Sequence, residues 1–130
     1  IAGLVHSLPN EPTLLMTGGT WDNHSESFQG KVAESVLKSY DFDQLFIGAD
    51  GVDLQHGTKT FNELIGLSQV MADVSRQVVV LVESDKFGRR IPNQELDWQS
   101  IDIIVTDERL PESLKIEIEN KGVDVKIAKL

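Results

Sequence analysis

The stretch Gln77-Val78-Val79-Val80-Leu81-Val82 constrains this chain more than any other segment. After Gln77 every position is apolar, and most are β-branched, so both faces of a strand built from it are apolar. A strand with one wet face alternates, whereas a strand covered on both sides, as in a parallel sheet, does not. Runs of the same kind flank it: Thr13 to Thr17, ending at Gly18-Gly19; Gln44 to Ile47, ending at Gly48; Ile101 to Val105; and Val123 to Ile127. Helical patterns lie between them. Lys31 to Tyr40 places Val32, Val36 and Tyr40 on one face, and Phe61 to Arg76 places Leu64, Leu67, Met71 and Val74 together. Pro111 to Lys121 carries proline near its first turn and ends at Gly122, a normal start and stop.

This order predicts an α/β fold: a doubly wound, mostly parallel sheet with helices on both faces. The 130 residues, 40% of them hydrophobic, suit a single domain spanning 1–130. The opening Ile1 to Leu8, without an initiating Met, reads as the last turns of a further helix. It predicts a domain truncated at its N-terminus.

Composition removes several functions. Without cysteine there is no disulfide, thiolate zinc site or cysteine nucleophile, which suits a reducing compartment, and a cytoplasmic location is expected. No apolar run approaches the roughly 20 residues of a membrane span, and no signal peptide is recognisable, so no membrane partner is expected. Twelve Lys and Arg stand against 21 Asp and Glu, a formal charge of −9. Such a surface repels polyanions, so this domain is not expected to bind DNA unaided.

Ligands of open parallel sheets bind beyond the carboxyl ends of the strands, which directs attention to the following loops. Gly18-Gly19-Thr20 can bring backbone N–H groups close to an anion, although an ordinary tight turn uses the same residues. It is neither a dinucleotide fingerprint nor a P-loop, so nucleotides are disfavoured and no cofactor is expected. Lys86-Phe87-Gly88-Arg89-Arg90 gathers three of the twelve basic residues; it can neutralise a phosphate or be a solvated turn. Asp50, before Gly51, can accept hydrogen bonds from sugar hydroxyls, but Asp-Gly also makes common turns, as it would before Asp53. Glu63 can line a pocket or complement a helix dipole. Asp22, His24 and Glu26 alternate in a polar loop as metal ligands would, without a visible fourth, so no metal site is assigned. His6 and His56 have no identifiable partners. With no Gly-x-Ser-x-Gly elbow and no His-Glu-x-x-His helix, no catalytic residue is assigned.

Five segments in natural order resemble the effector-binding domain of the DeoR-type bacterial transcriptional repressors: Met16-Thr17-Gly18-Gly19-Thr20, Ser27-Phe28-Gln29-Gly30, Phe46-Ile47-Gly48-Ala49-Asp50-Gly51-Val52-Asp53, Gly57-Thr58-Lys59-Thr60-Phe61-Asn62-Glu63 and Ser84-Asp85-Lys86-Phe87-Gly88-Arg89. Together they span most of the chain, from about Leu14 to Ile127. Thr60 to Glu63 with Lys86 to Arg89 looks closest to members that control glucitol (sorbitol) operons. The resemblance implies a sensor related in fold to ribose-5-phosphate isomerase. It also implies an N-terminal winged helix-turn-helix, outside this sequence, through which operator DNA is bound, and assembly into homo-oligomers. The implied ligand is a phosphorylated sugar or sugar alcohol, a hexitol phosphate such as glucitol 6-phosphate for a glucitol-type member, whose binding weakens the grip on the operator. By motif, Gly18, Gly19, Thr20, Asp50, Gly51, Glu63, Lys86 and Arg89 would bind it, with Asp50 on the hydroxyls and Lys86 at the anionic end. The strand and Gly/Ser/Thr-rich loop that cradle phosphate in the family would lie upstream of Ile1. The related isomerases carry a further acid where Ile47 stands and a glycine run where Thr58-Lys59-Thr60 stands. A proton shuttle lacks a second partner here, which favours sensing over the alternative of an isomerase-like enzyme. The segment Thr17–Gly30, long, polar and next to the pocket, is expected to move on binding.

Overall fold

The structure, a computed structural model, describes residues 2–63 and 65–129. Helix α1 (Ala2–His6) is followed by an irregular stretch, then by strands β1 (Thr20–Asp22) and β2 (Ser27–Gln29), which pair as an antiparallel hairpin. Helix α2 (Lys31–Lys38) leads into β3 (Phe42–Gly48), and the short strands β4 (Gly51–Asp53) and β5 (Gly57–Thr60) follow at once. The chain continues through α3 (Gly66–Asp73), β6 (Ser75–Leu81), β7 (Asn93–Gln94), β8 (Ile103–Asp107), α4 (Glu112–Glu119) and β9 (Asp124–Ala128).

Strands β3, β6, β8 and β9 form a four-stranded sheet in the order β3-β6-β8-β9, parallel throughout and flanked by helices. Its register aligns Leu45 with Val78, Val80 with Ile104 and Ile104 with Val125. Val78, Val80, Ile104 and Val125 are buried in one cluster with Ala72 of α3, Ile118 of α4, Leu96 and Trp98. Each aliphatic side chain there contributes about 1.5–3 kcal/mol of burial. Phe46 and Leu81, on the opposite face, stay 60% and 46% exposed.

A second sheet, antiparallel β4-β5-β7, crosses the carboxyl end of the first. It is held by Thr58, whose backbone N–H donates to the Leu96 carbonyl (2.8 Å) and whose Oγ1 accepts from the Leu96 N–H (3.0 Å). The indole N–H of Trp98 closes the same corner, donating to the carbonyls of Leu54 (2.9 Å) and Asp53 (3.1 Å).

Three expectations need correction. Thr13 to Thr17 forms no strand: it pairs with no neighbouring backbone, and Leu14, Leu15 and Met16 remain exposed. Apolar, β-prone residues become a strand only beside an edge. Helix α2 buries Ala33, Glu34 and Leu37 rather than the face of Val32 and Tyr40, both exposed, because it packs on α3 and β2. The helix expected over Phe61 to Arg76 begins only at Gly66, and Arg76 already belongs to β6. Its first turns are diverted because Asp50 captures the Phe61 N–H and Thr60 Oγ1 captures the Asn62 N–H, fixing a turn there instead. Leu64, assigned to that helix face, lies outside the described residues. The expected start and stop of α4 agree with Pro111 as its N-cap and Gly122 after its C-cap.

Candidate functional site

Asp50 follows β3 directly, and three backbone and side-chain contacts hold it still. Its N–H donates to the Lys59 carbonyl (3.1 Å), while Oδ2 accepts from Thr60 Oγ1 (3.1 Å) and the Phe61 N–H (3.0 Å). Among the described residues no hydrogen bond engages Oδ1, and Asp50 lines a cavity of about 1010 Å³. Asp22, His24, Gln29, Thr60, Asn62, Glu63, Ser68 and Glu95 also line the cavity, with Phe61 and Met71 as its apolar part. No Lys or Arg lines it. Carboxylates, amides and hydroxyls in such density suit a ligand rich in hydroxyls, each of which can donate to an acid and accept from an amide or hydroxyl.

Glu95 is 9% exposed. The Ser68 hydroxyl donates to its Oε1 (2.6 Å), and the Gln69 amide donates to its backbone carbonyl (2.7 Å), so α3 anchors it from below. Burial pushes its carboxyl above the ordinary value; the Ser68 hydrogen bond opposes that shift and the negative charge of Asp50 adds to it. Sequence reasoning missed Glu95 and Ser68. They stand 27 residues apart, and only the fold, which brings the residue after β7 against α3, joins them.

Asp107 ends β8 and was also missed. Its carboxylate accepts from the Ser84 N–H and hydroxyl (both 2.8 Å) and from the Arg109 N–H (3.0 Å), pinning the loop after β6 to the end of β8. The Ser84 hydrogen bonds, from its backbone N–H and then its hydroxyl, hold the carboxyl below its ordinary value. Lys86 closes the 3-10 turn Ser84–Lys86 on this pinned loop.

The predicted ligand residues do not all converge. Asp50 and Glu63 line the cavity, and Gly51 adjoins Asp50 but packs against Ile91. Lys86 lines neither this cavity nor the smaller cleft that holds Arg89, although its loop follows β6, the neighbour of β3. Gly18, Gly19 and Thr20 enter β1 beside the cavity without lining it. Gly19, at φ 120°, lies so close to Gln29 that a Cβ would sit 2.8 Å from its carbonyl oxygen, so it serves the docking of this loop on β2. Asp22 caps its own hairpin turn, accepting from Ser25 Oγ (2.6 Å) and the His24 N–H (3.3 Å). Among the described residues, no three His, Cys, Asp or Glu are grouped to hold a metal. Asp53 accepts from the Gln55 N–H (2.7 Å) and faces the smaller cleft, and His56 Nδ1 lies 3.3 Å from it; the side chain of His6 lies outside what the structure describes. No described helix is long and apolar enough to cross a membrane.

Residues 4–108 match the family of the DeoR C-terminal sensor domain. A protein of Escherichia coli O157:H7 described as an aga operon transcriptional repressor is 40% identical over 113 residues, covering 86% of this chain and 42% of its own length. The transcriptional regulator GlpR of Haloferax volcanii is 33% identical over 111 residues, 85% of this chain and 44% of that protein. An L-fucose operon activator of Haemophilus influenzae is 26% identical over 122 residues, 92% of this chain and 49% of that protein. The chain thus spans less than half the length of these relatives. All three are described as acting on transcription, and none lends support to the isomerase-like alternative. The chain belongs to the DeoR C-terminal sensor domain family, and is a sensor domain rather than an enzyme.

Proposed function

We propose that this chain is the effector-binding part of a transcriptional regulator of a carbohydrate operon, and that its ligand is a phosphorylated sugar or sugar alcohol, with glucitol 6-phosphate as the expected inducer. One observation carries the reading: Asp50, immobilised at the carboxyl end of β3, offers a free carboxylate oxygen to a polar cavity that lacks any Lys or Arg. That is a seat for the hydroxyl-bearing carbons. The resemblance assigns the phosphate end to Lys86, on the loop after the adjacent strand, although Lys86 does not itself line this cavity. The relative described as an L-fucose operon activator supports a carbohydrate ligand. With a net charge of −9, this domain leaves DNA contact to another part of the protein, and a homo-oligomer in the cytoplasm is the expected working form.

A ligand changes DNA affinity only by its differential affinity for two states, typically about 1–3 kcal/mol or 5- to 150-fold. Operator-fragment anisotropy with the full-length protein tests this directly. Added glucitol 6-phosphate should weaken binding within that range. Binding that is absent, or identical with and without every sugar phosphate tried, removes the proposal.

A further inference from the structure

We propose a second ligand site: the cleft between the β4-β5 hairpin and α4 binds an organic phosphate monoester, independently of the strand-end cavity. Its volume is about 420 Å³, and Lys59, Arg89 and Arg90 line it together with Val52, Phe87, Ile91 and Leu114. The two cavities share no lining residue. Successive residues of a strand point to opposite faces, so β5 sends Thr60 into the strand-end cavity and Lys59 into this cleft. Charge is segregated along with them. The strand-end cavity is lined by Asp22, Asp50, Glu63 and Glu95 and, among the described residues, by no Lys or Arg, while this cleft gathers three of the chain's twelve basic residues against one carboxylate, Asp53.

The cleft is built before any ligand arrives. Residue 87 bridges Val52 in parallel, and the Gly88 N–H donates to the Val52 carbonyl (3.0 Å), which ties the Phe87–Ile91 loop to β4. Arg89 is folded back on Asp85, donating Nε to its carbonyl and an η nitrogen to its carboxylate (both 3.1 Å). Ile91 is buried against Gly51 at the other end of the loop. Arg90 is thereby held between two fixed residues. Among the described residues neither Arg90 nor Lys59 has an ion pair, in a chain with a surplus of carboxylates. Asp53, the acid that also lines the cleft, is already engaged by the Gln55 and His56 N–H groups and lies 3.3 Å from His56 Nδ1, so Lys59 and Arg90 still call for a dianion, which a phosphate monoester supplies and a carboxylate does not. Val52, Phe87, Ile91 and Leu114 form an apolar floor, so the monoester carries an organic group to cover it.

The test is amide-resolved NMR titration of the full chain with phenyl phosphate, with benzoate and inorganic phosphate as comparison probes. The expected result is saturable shifts at Lys59 and Gly88–Ile91, with phenyl phosphate the tightest of the three. Lys59→Met with Arg90→Met should weaken binding by tenfold or more, since a hydrogen bond to a charged group is worth about 1.5–3 kcal/mol. Lys59→Arg with Arg90→Lys should retain binding, and circular dichroism checks that each variant folds. No saturation by about 1 mM, shifts centred on the strand-end cavity at Asp50, Phe61 to Glu63 and Glu95, benzoate binding as tightly as phenyl phosphate, or a methionine double variant that binds unchanged would each overturn the proposal.

Discussion

Gly57 should be the least replaceable residue in the second sheet. Its φ is 114°, and a Cβ added there would collide with the Leu96 carbonyl oxygen while lying 3.0 Å from the Asp97 Cα. Both obstacles are backbone, so relief requires the chain at Leu96-Asp97 to move. That chain is bound to Thr58 by three hydrogen bonds: Thr58 N–H to Leu96 O (2.8 Å), Leu96 N–H to Thr58 Oγ1 (3.0 Å) and Glu95 N–H to Thr58 O (2.9 Å). Losing two of them costs about 1 kcal/mol each. The strained backbone adds about 1–3 kcal/mol. Gly57→Ala should therefore destabilise by about 3–5 kcal/mol. At about 2.1 cal/mol/K of unfolding entropy per residue, a chain of 130 residues loses roughly 4 °C of Tm per kcal/mol, so the fall is roughly 12–20 °C. Gly88→Ala supplies the internal control, because Gly88 also has a positive φ (80°) but nothing within 4 Å of its added Cβ. It should lose only about 1 kcal/mol. Thermal unfolding by far-UV circular dichroism reads both. A Gly57→Ala Tm within a few degrees of the parent, or equal to that of Gly88→Ala, would refute the packing argument.

Other consequences are simpler to state. The Glu95 carboxyl is raised in the folded state, so the stability linked to it is complete below its ordinary value of 4.5 and is lost as pH rises through the raised value; Glu95→Gln should gain on the parent as pH rises above 4.5 in urea titrations. Asp107 has the opposite sign: its contribution is present above 3.8 and lost as pH falls through the lowered folded value, so Asp107→Asn should be less stable than the parent at neutral pH and converge on it in acid. Ile118 is fully buried, and Ile118→Ala should cost about 2–5 kcal/mol in equilibrium unfolding. Hydrogen exchange across Thr17–Gly30, which contributes Asp22, His24, Ser25 and Gln29 to the cavity wall, should slow when a sugar phosphate binds; equal protection would place the moving part elsewhere.

The parallel sheet was legible because its information is local. Val78 to Val82 is apolar on both faces, and the runs around Ile47, Ile104 and Val125 repeat the signal along the chain. The antiparallel β4-β5-β7 sheet was not, since its strands are two to four residues long, mostly Gly and polar residues, and held by a distant partner, Leu96. Thr13 to Thr17 shows the converse: a strand-like run remains irregular without an edge to join. The candidate site divides in the same way. Asp50 and Glu63 were visible because they follow strand ends in the chain, whereas Glu95 reaches the cavity through the fold alone. Arg89 was visible as a cation, but sequence order does not reveal which face of a short strand a loop crosses, and the structure has it lining the smaller cleft rather than the strand-end cavity.

Calorimetric titration of the full chain with glucitol 6-phosphate, glucitol and a set of pentose and hexose phosphates, repeated with Asp50→Asn, addresses the central claim most directly. The account predicts saturable binding of a phosphorylated compound over its unphosphorylated parent, weakened tenfold or more by Asp50→Asn in a protein that still folds. Binding of none of them, or binding that Asp50→Asn leaves unchanged, would contradict the assignment of the strand-end cavity as the sensor site.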